Sequence, residues 1–299
     1  MKRETYERGL SEYLEATRCN EVENNMIDKL QSRVKRFAST KLATRLNMKN
    51  IIMDAPNAPK LFAFAKTHKE GQQLCPVVDK VKAPTRKLEE EVHNILTPHV
   101  EGYQFSITNT VDLIEQFRVI TSPSCITVLD FRSLYPSIEI PPCFCALRDF
   151  LFKKVDTNEL HHQVLELADL ICYNSVFQFR GVMYSQTRGV PMGSSVSGDL
   201  CELVIRQLEN RTLPNFLQDI ILYKRYVDDI IILWRTTPNL TRFLEEMNEN
   251  PYGLSLEIEQ HSNSRIHFRN LDISFEDSII RTSVYRKLSN LSAYIPFNS

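Results

Sequence analysis

The stretch Asp219-Ile220-Ile221-Leu222-Tyr223-Lys224-Arg225-Tyr226-Val227-Asp228-Asp229-Ile230-Ile231-Ile232-Leu233-Trp234 decides how the rest of the chain is read. Two runs of strong β-formers meet at an acidic turn, which predicts a hairpin with Asp228 and Asp229 at its tip. Asp tolerates unusual backbone angles, so an ordinary turn is one reading. Against it, two-residue hairpin turns favour Asp-Gly or Asn-Gly. Here both central positions carry negative charge and repel unless something positive is bound. A third acid, Asp130, ends another buried apolar strand, Cys125-Ile126-Thr127-Val128-Leu129-Asp130, 98 residues earlier (228 − 130). Neighbouring strands of one sheet would bring the three carboxylates together, and they would raise one another's pKa unless a divalent cation neutralised them. Mg²⁺ prefers one or two carboxylates plus substrate phosphate oxygens. Two such ions about 3.5–4 Å apart clamp in-line phosphoryl transfer.

Outward from these acids, Phe131-Arg132-Ser133-Leu134-Tyr135 follows the first of them. An aromatic five residues beyond Asp130 would pack where a sugar 2′ carbon lies and exclude a ribose hydroxyl; it would equally serve as a core aromatic, since the chain has 11 Tyr. Residues 189–198 (GVPMGSSVSG) hold three of the eight Gly, and small residues opening a helix let a flat, bulky partner approach. A base pair or template backbone resting there would explain the missing side-chain bulk, and a plain turn before a helix would explain it too. No GK[ST] follows, which excludes a Walker A loop.

Composition bounds the rest. With 299 residues, 42% hydrophobic, 24% charged and 9% aromatic, the chain has a sizeable core and fits one large domain or two subdomains. No stretch approaches the roughly 18 apolar residues that span a bilayer, and the charged N-terminus lacks a secretory h-region. A nuclear or cytoplasmic protein without a membrane partner is expected. Seven Cys without a CxxC argue against a disulfide scaffold or zinc ribbon. The net charge of −1 hides an asymmetry: residues 29–87 carry 14 Lys or Arg against Asp54, Glu70 and Asp79, a local +11 that leaves −12 for the remainder. Such a basic region attracts polyanions, or it forms one of two solvated helical faces of opposite sign. His68, the pair His161-His162 and Cys143-x-Cys145 show no metal-ligand spacing and read as structural.

Periodicity predicts helices over 11–50, 84–99, 160–177, 195–211 and 240–248. Strands are expected over 61–65, 76–78, 125–130 and near 254–260, 266–275 and 279–285, with a hairpin turn at 69–73. Without regular βαβ alternation the class is α+β.

In order along the chain, Asp130 with Ser133-Leu134-Tyr135-Pro136-Ser137, then GVPMGSSVS, then Tyr226-Val227-Asp228-Asp229 resemble the palm motifs of reverse transcriptases. Lys66-Thr67-His68-Lys69, Gln186 ahead of the Gly turn, and Val284-Tyr285-Arg286-Lys287 after Leu271-Asp272 are similar to segments of the Penelope-like retroelement enzymes. The resemblance spans roughly residues 60–299. It implies a right-hand polymerase fold of fingers and palm, with an antiparallel palm sheet and flanking helices. It implies RNA-templated DNA synthesis with two Mg²⁺ ions, Mn²⁺ being able to substitute, and an RNA template, a DNA primer and dNTPs as partners. In that scheme 1–55 is an N-terminal helical extension, 56–120 with part of 150–180 the fingers, and 121–149 with 181–290 the palm. Residues 291–299 would begin a thumb that is largely missing.

Carried onto this chain, the resemblance makes Asp130 and Asp228 bridge both ions with Asp229 assisting, while the Phe131 carbonyl contacts the nucleotide-bound metal. Lys66 or Lys69 would reach the triphosphate, Tyr135 would be the sugar gate that disfavours ribonucleotides, and Gln186 would help hold the incoming nucleotide. Gly189, Pro191, Gly193, Tyr226, Arg286 and Lys287 would contact template or primer, and the basic stretch would track phosphates.

The departures are specific. Where such enzymes read "LRPI", this chain reads Leu74-Cys75-Pro76-Val77, and Cys supplies no fixed cation with paired donors. Lys80 or Lys82 would have to substitute. The Pro of "PKxHK" is Ala65, both prolines of "GSPLSP" are lost at Ser195 and Gly198, and "FLD" reads Asn270-Leu271-Asp272. The GIY-YIG nuclease domain that many such enzymes carry at the C-terminus is not expected within these residues. The alternative function is therefore a weak or inactive retroelement remnant that only binds nucleic acid.

Overall fold

The computed structural model describes residues 3–65, 74–121, 123–276 and 279–285. In chain order the first half holds α1 (Arg3–Ala16), β1 (Cys19–Glu21), α2 (Met26–Ala38), α3 (Lys41–Arg45), β2 (Lys60–Ala65), β3 (Leu74–Asp79), α4 (Arg86–Val100), α5 (Thr110–Phe117), β4 (Cys125–Phe131), α6 (Leu134–Ser137) and α7 (Ile140–Val155). The second half holds α8 (His161–Cys172), β5 (Val176–Phe179), β6 (Val182–Gln186), α9 (Ser197–Thr212), β7 (Ile220–Tyr226), β8 (Asp229–Trp234), α10 (Leu240–Asn248), β9 (Leu256–Ser262), β10 (Arg265–Phe268), β11 (Leu271–Glu276) and β12 (Ile279–Val284). The fold is mixed α+β, as expected. Among the described residues no helix is long and apolar enough to cross a membrane. The chain divides into two compact units, one from Met1–Val100, Ser133–Leu208 and Pro251–Leu254, the other from Glu101–Arg132, Glu209–Asn250 and Ser255–Ser299.

The first unit is built on a five-stranded sheet in the order β1-β6-β5-β2-β3, antiparallel except where β2 meets β5. Leu10 and Tyr13, three apart on α1, pack on Leu61, Val78 and Phe177 of that sheet. The single helix expected over 11–50 breaks into α1, β1, α2 and α3. Arg18 adopts a left-handed φ of +50°, and Cys19–Glu21 pairs as an edge strand with Tyr184–Gln186. The run 18–25 is polar and offers no apolar face of helical period, so strand pairing wins there. The helix expected over 160–177 ends at Cys172 for a similar reason, because Val176 and Phe177 are buried in β5.

The second unit carries an antiparallel sheet in the order β7-β8-β4-β9 and a three-stranded sheet β10-β11-β12. Ile231 and Leu233 of β8 cluster with Ile126 and Val128 of β4, and with Leu113, Phe117, Ile266, Phe268 and Ile273. Trp234 meets the Phe243 ring edge-on at 5.5 Å, and Phe243 meets Phe216 at 5.0 Å. The sheet is covered on both faces, which is why β8 reads as an unbroken apolar run. Thr127, wholly buried in mid-strand, accepts the Trp234 indole N–H at 2.8 Å and lies 2.9 Å from His261 Nδ1. The strand expected over 266–275 is a tight hairpin, with Phe268 opposite Leu271.

Candidate active site

Strand register assembles the acids. Tyr226 pairs with Asp229 across β7 and β8, so the two turn residues are Val227 and Asp228, not the Asp pair expected from sequence. Val227 takes a φ of +56°, an uncommon backbone state for a β-branched residue and one that clusters at functional sites. On the other side of β8, Asp130 stands directly opposite Asp229, and directly opposed residues share a face of the sheet. The Phe131 N–H donates to the Asp228 carbonyl at 3.3 Å, pinning the turn to the end of β4. One carboxylate oxygen from each of Asp130, Asp228 and Asp229 lies within 4.8 Å of the others, and all three residues are half-buried. At that spacing each like-charged pair repels by about 3–4 kcal/mol at an effective dielectric near 20. Hard carboxylate oxygens in this arrangement fit Mg²⁺ or Mn²⁺. Among the described residues it is the one cluster of three or more His, Cys, Asp or Glu able to hold a metal.

One cation already reaches the cluster. Arg269, with φ +58° in the β10–β11 turn, donates Nη1 to Asp229 Oδ2 at 2.7 Å and stacks its guanidinium 4.0 Å from the centre of the Tyr226 ring. Nothing local to the sequence around Arg269 announces this, and reading 266–275 as one strand hides the turn. Nearby Asp272 pairs with Arg265 across the same hairpin, and that guanidinium holds its carboxyl below the usual carboxylate range.

The remaining candidates belong to the first unit or to undescribed segments. Lys66, His68, Lys69, Arg286 and Lys287 lie outside the described residues. Gln186, expected at the nucleotide, is buried: its amide donates to the Arg188 carbonyl at 2.9 Å and accepts from the Tyr13 hydroxyl at 3.3 Å. Lys80, expected as a substitute phosphate ligand, is corrected to a structural role. It is 6% exposed and paired with the 2% exposed Glu89 of α4. Glu89 also accepts from Thr85 at 2.6 Å and from Ser194 at 2.7 Å, so it ties α4 to the turn after Gly193. An acid on the apolar face that carries Leu88 and Val92 is the available signal for Glu89. Lys82 remains exposed, and Cys75 lies half-buried with its thiol 3.7 Å from the Met192 sulfur.

At the glycine turn the nearest neighbours are the protein's own backbone. A Cβ on Gly189 (φ +75°) would lie 2.7 Å from the Pro136 backbone, and one on Gly193 (φ +111°) only 2.1 Å from the Val78 carbonyl oxygen. The space these glycines leave is filled by the protein's own backbone. Pro191 between them is buried, and the Val190 N–H donates to the Tyr135 carbonyl at 2.8 Å. Tyr135 is half-buried, its hydroxyl 3.6 Å from where a Gly198 Cβ would be.

Part of the basic stretch is paired with the protein's own acids. Lys29 pairs with Glu23, Arg33 with Asp169, Arg36 with Glu166, Lys41 with Glu159, Arg86 with Glu90 and Lys87 with Asp54. Lys35, Arg45, Lys49, Lys60 and Lys82 stay exposed. Cys143 is buried and its thiol is pushed up to about 12, while His161 stacks on Phe152 at 4.8 Å, both structural roles.

Comparison with known proteins agrees with this geometry. The family model described as reverse transcriptase (RNA-dependent DNA polymerase) matches residues 68–261. The telomerase reverse transcriptase of Takifugu rubripes is 28% identical over 179 residues, 52% of this chain and 15% of that protein. That of Canis lupus familiaris is 36% identical over 85 residues, 28% of this chain and 7% of that protein. The chain thus matches only a small part of the length of these relatives. Among solved structures, telomerase from Candida albicans in complex with the TWJ fragment of telomeric RNA aligns with a TM-score of 0.63. That alignment covers 94% of this chain and 49% of the other at 14% identity, a likeness of fold. With a family match over most of its length and the three acids gathered at the ends of β4 and β8 and the turn before β8, the chain belongs to the reverse transcriptase family.

Proposed function

We propose that this chain is an RNA-directed DNA polymerase, transferring dNMP to a primer 3′-OH with release of pyrophosphate. The observation that carries the reading is the convergence of Asp130, Asp228 and Asp229 through the β7–β8–β4 register. Asp130 and Asp228 would hold two divalent ions, with Asp229 assisting and the Phe131 carbonyl contributing. Bound there, such ions activate the attacking oxygen and stabilise the leaving one. The protein's part is to fix the carboxylates before substrate arrives: β4 and β8 set Asp130 against Asp229, and the Phe131 N–H holds the turn that carries Asp228. Tyr135 would be the sugar gate, and Gln186 a positioning residue behind the glycine turn. The assignment of fingers and palm to the spans read from sequence belongs to the same proposal.

The test is primer extension on poly(rA)/oligo(dT) with Mg²⁺, comparing wild type with Asp228→Asn. Equal incorporation by both would overturn the proposal. Binding without extension by the wild type would favour the second reading, a remnant that only binds nucleic acid. Cys75 in place of an arginine and the commitment of Lys80 to Glu89 are what favour it. Cys75→Arg is expected to lower the nucleotide KM, and an unchanged or higher KM would show that the missing cation is supplied elsewhere. As to lineage, the relatives found are telomerase enzymes, which supports a telomerase-like polymerase. The Penelope-like reading rests on sequence segments alone: Lys66–Lys69, Gln186 ahead of GVPMGS, and VYRK after Leu271-Asp272.

Arg269 yields a separate expectation. As counterion to Asp229 it competes with any bound cation, while it relieves repulsion when none is present. Arg269→Ala should tighten Mg²⁺ binding roughly fivefold, equivalent to about 1 kcal/mol for this partly exposed pair. It should also lower the melting temperature in EDTA. Calorimetric titration and thermal melts measure the two, and weaker Mg²⁺ binding would make Arg269 a supporting residue rather than a competitor.

A further inference from the structure

Beneath the hairpin lies a buried ion pair that the two-metal chemistry does not use. Arg225 of β7 is 1% exposed and Glu209, near the end of α9, is 0% exposed, both in the unit that holds the three acids. Strand alternation places Tyr223 and Arg225 on the inward face, opposite to Lys224 and Tyr226. The guanidinium grips Glu209 in a fork, Nε to Oε1 at 2.7 Å and Nη2 to Oε2 at 3.2 Å. The Tyr223 hydroxyl donates to the same Oε1 at 2.9 Å, and burial keeps that phenol far above its ordinary pKa, hence a neutral donor. Arg225 is further held by its backbone, its N–H donating to Phe105 and its carbonyl accepting from Ile107. With Glu209 occupied, Arg225 still directs Nη1 to the carbonyl oxygen of Val227 at 3.1 Å.

That carbonyl belongs to the turn residue with the positive φ, which is 45% exposed and so gives the turn little packing. The turn is thus tied from two directions: Arg225 donates to the Val227 carbonyl and the Phe131 N–H donates to the Asp228 carbonyl. Buried ion pairs are a poor device for stability, since well-packed apolar residues of similar volume are often as stable or more so. An apolar pair cannot hold a carbonyl oxygen. We infer that Arg225, braced by Glu209 and Tyr223, is a positioning residue that sets the Val227–Asp228 turn and thereby aims the Asp228 carboxylate at its neighbours. This rests on the polymerase reading of the acid cluster, and concerns how the cluster is held before anything binds.

The experiment replaces the brace with hydrocarbon. The triple variant Arg225→Met, Glu209→Leu, Tyr223→Phe removes the charges together with the Tyr223 hydroxyl, and the half-buried Ser106 hydroxyl loses only a 3.4 Å contact from Arg225. A thermal melt, the Mg²⁺ Kd by calorimetric titration and steady-state primer extension are measured on it and on the wild type. The melting temperature should stay near the wild-type value while the Mg²⁺ Kd rises about tenfold and kcat falls about 10- to 100-fold, as for outer residues that orient metal ligands. Nucleotide KM should change little. A stable variant with wild-type Mg²⁺ Kd and kcat would overturn the inference, because the pair would then be structural only. Should the triple variant fail to fold, Arg225→Lys decides. It keeps the charge opposite Glu209 but cannot reach Glu209 and the Val227 carbonyl together, so a raised Mg²⁺ Kd is expected and an unchanged one overturns the inference. A wild type that binds Mg²⁺ but extends no primer sinks the polymerase reading while the Kd comparison still judges the brace.

Discussion

Asp228→Asn is expected to reduce primer extension by on the order of 10³-fold while leaving the fold as stable as before, or slightly more so. The substitution keeps volume and hydrogen-bonding capacity at the turn and removes one charge. An ion at a nucleotidyl-transfer site supplies several kcal/mol of transition-state stabilisation, and each 1.36 kcal/mol is tenfold in rate. Stability should move the other way. Oxygens of Asp130, Asp228 and Asp229 lie within 4.8 Å of one another, with Arg269 pairing with Asp229, so three acidic side chains crowd one site. Taking one charge away relieves repulsion when no cation is bound. In EDTA the variant should melt at or above the wild-type temperature, and added Mg²⁺ should raise that temperature less than it does for the wild type. Extension within tenfold of wild type would refute the catalytic role, and a lower melting temperature in EDTA would refute the electrostatic account.

Gly193→Ala is expected to destabilise the protein by roughly 2–5 kcal/mol, adding a left-handed backbone penalty of 1–2 to an overpacking penalty of about 1–3. At φ +111° the new Cβ would sit 2.1 Å from the Val78 carbonyl oxygen. Neither side can yield easily. Val78 is held in β3 opposite Leu61, and its N–H donates to the Met192 carbonyl at 2.8 Å. Gly181→Ala provides the comparison: its φ is +83°, but nothing lies within 4 Å of the added methyl. It should lose only the backbone term, about 1–2 kcal/mol. Urea denaturation of the two variants separates the terms, and equal losses would show that the contact with Val78 is not what requires glycine.

Much of the unit that holds the three acids is legible in the amino-acid sequence. The apolar runs flanking Asp228 and Asp229 form β7 and β8, and the run ending at Asp130 forms β4, paired with β8 as neighbouring strands of one sheet. Residues around the acids are less legible wherever their role depends on a distant partner. Lys80, expected at a triphosphate, is buried against Glu89. The small-residue turn at 189–193 is visible in the sequence, but not that Gly189 and Gly193 lie against the backbones of Pro136 and Val78. Within the basic stretch 29–87, Arg33, Arg36 and Lys41 pair with acids of α8 and its neighbourhood, partners that the local sequence does not reveal.

Local sequence suffices for the identity of the three acids, the strand character of the runs that carry them, and the order of the motifs. Those follow from side-chain chemistry and from alternation over a few residues, which any short stretch displays. Tertiary structure alone puts Val227 rather than Asp229 in the turn, sets Asp130 opposite Asp229, and brings Arg269 and Arg225 to the hairpin from two sides. Register between segments some hundred residues apart, and the pairing of a buried charge, are relations between distant parts of the chain. They are settled by which packing satisfies hydrogen bonds and desolvation together, and no single stretch of residues contains that information.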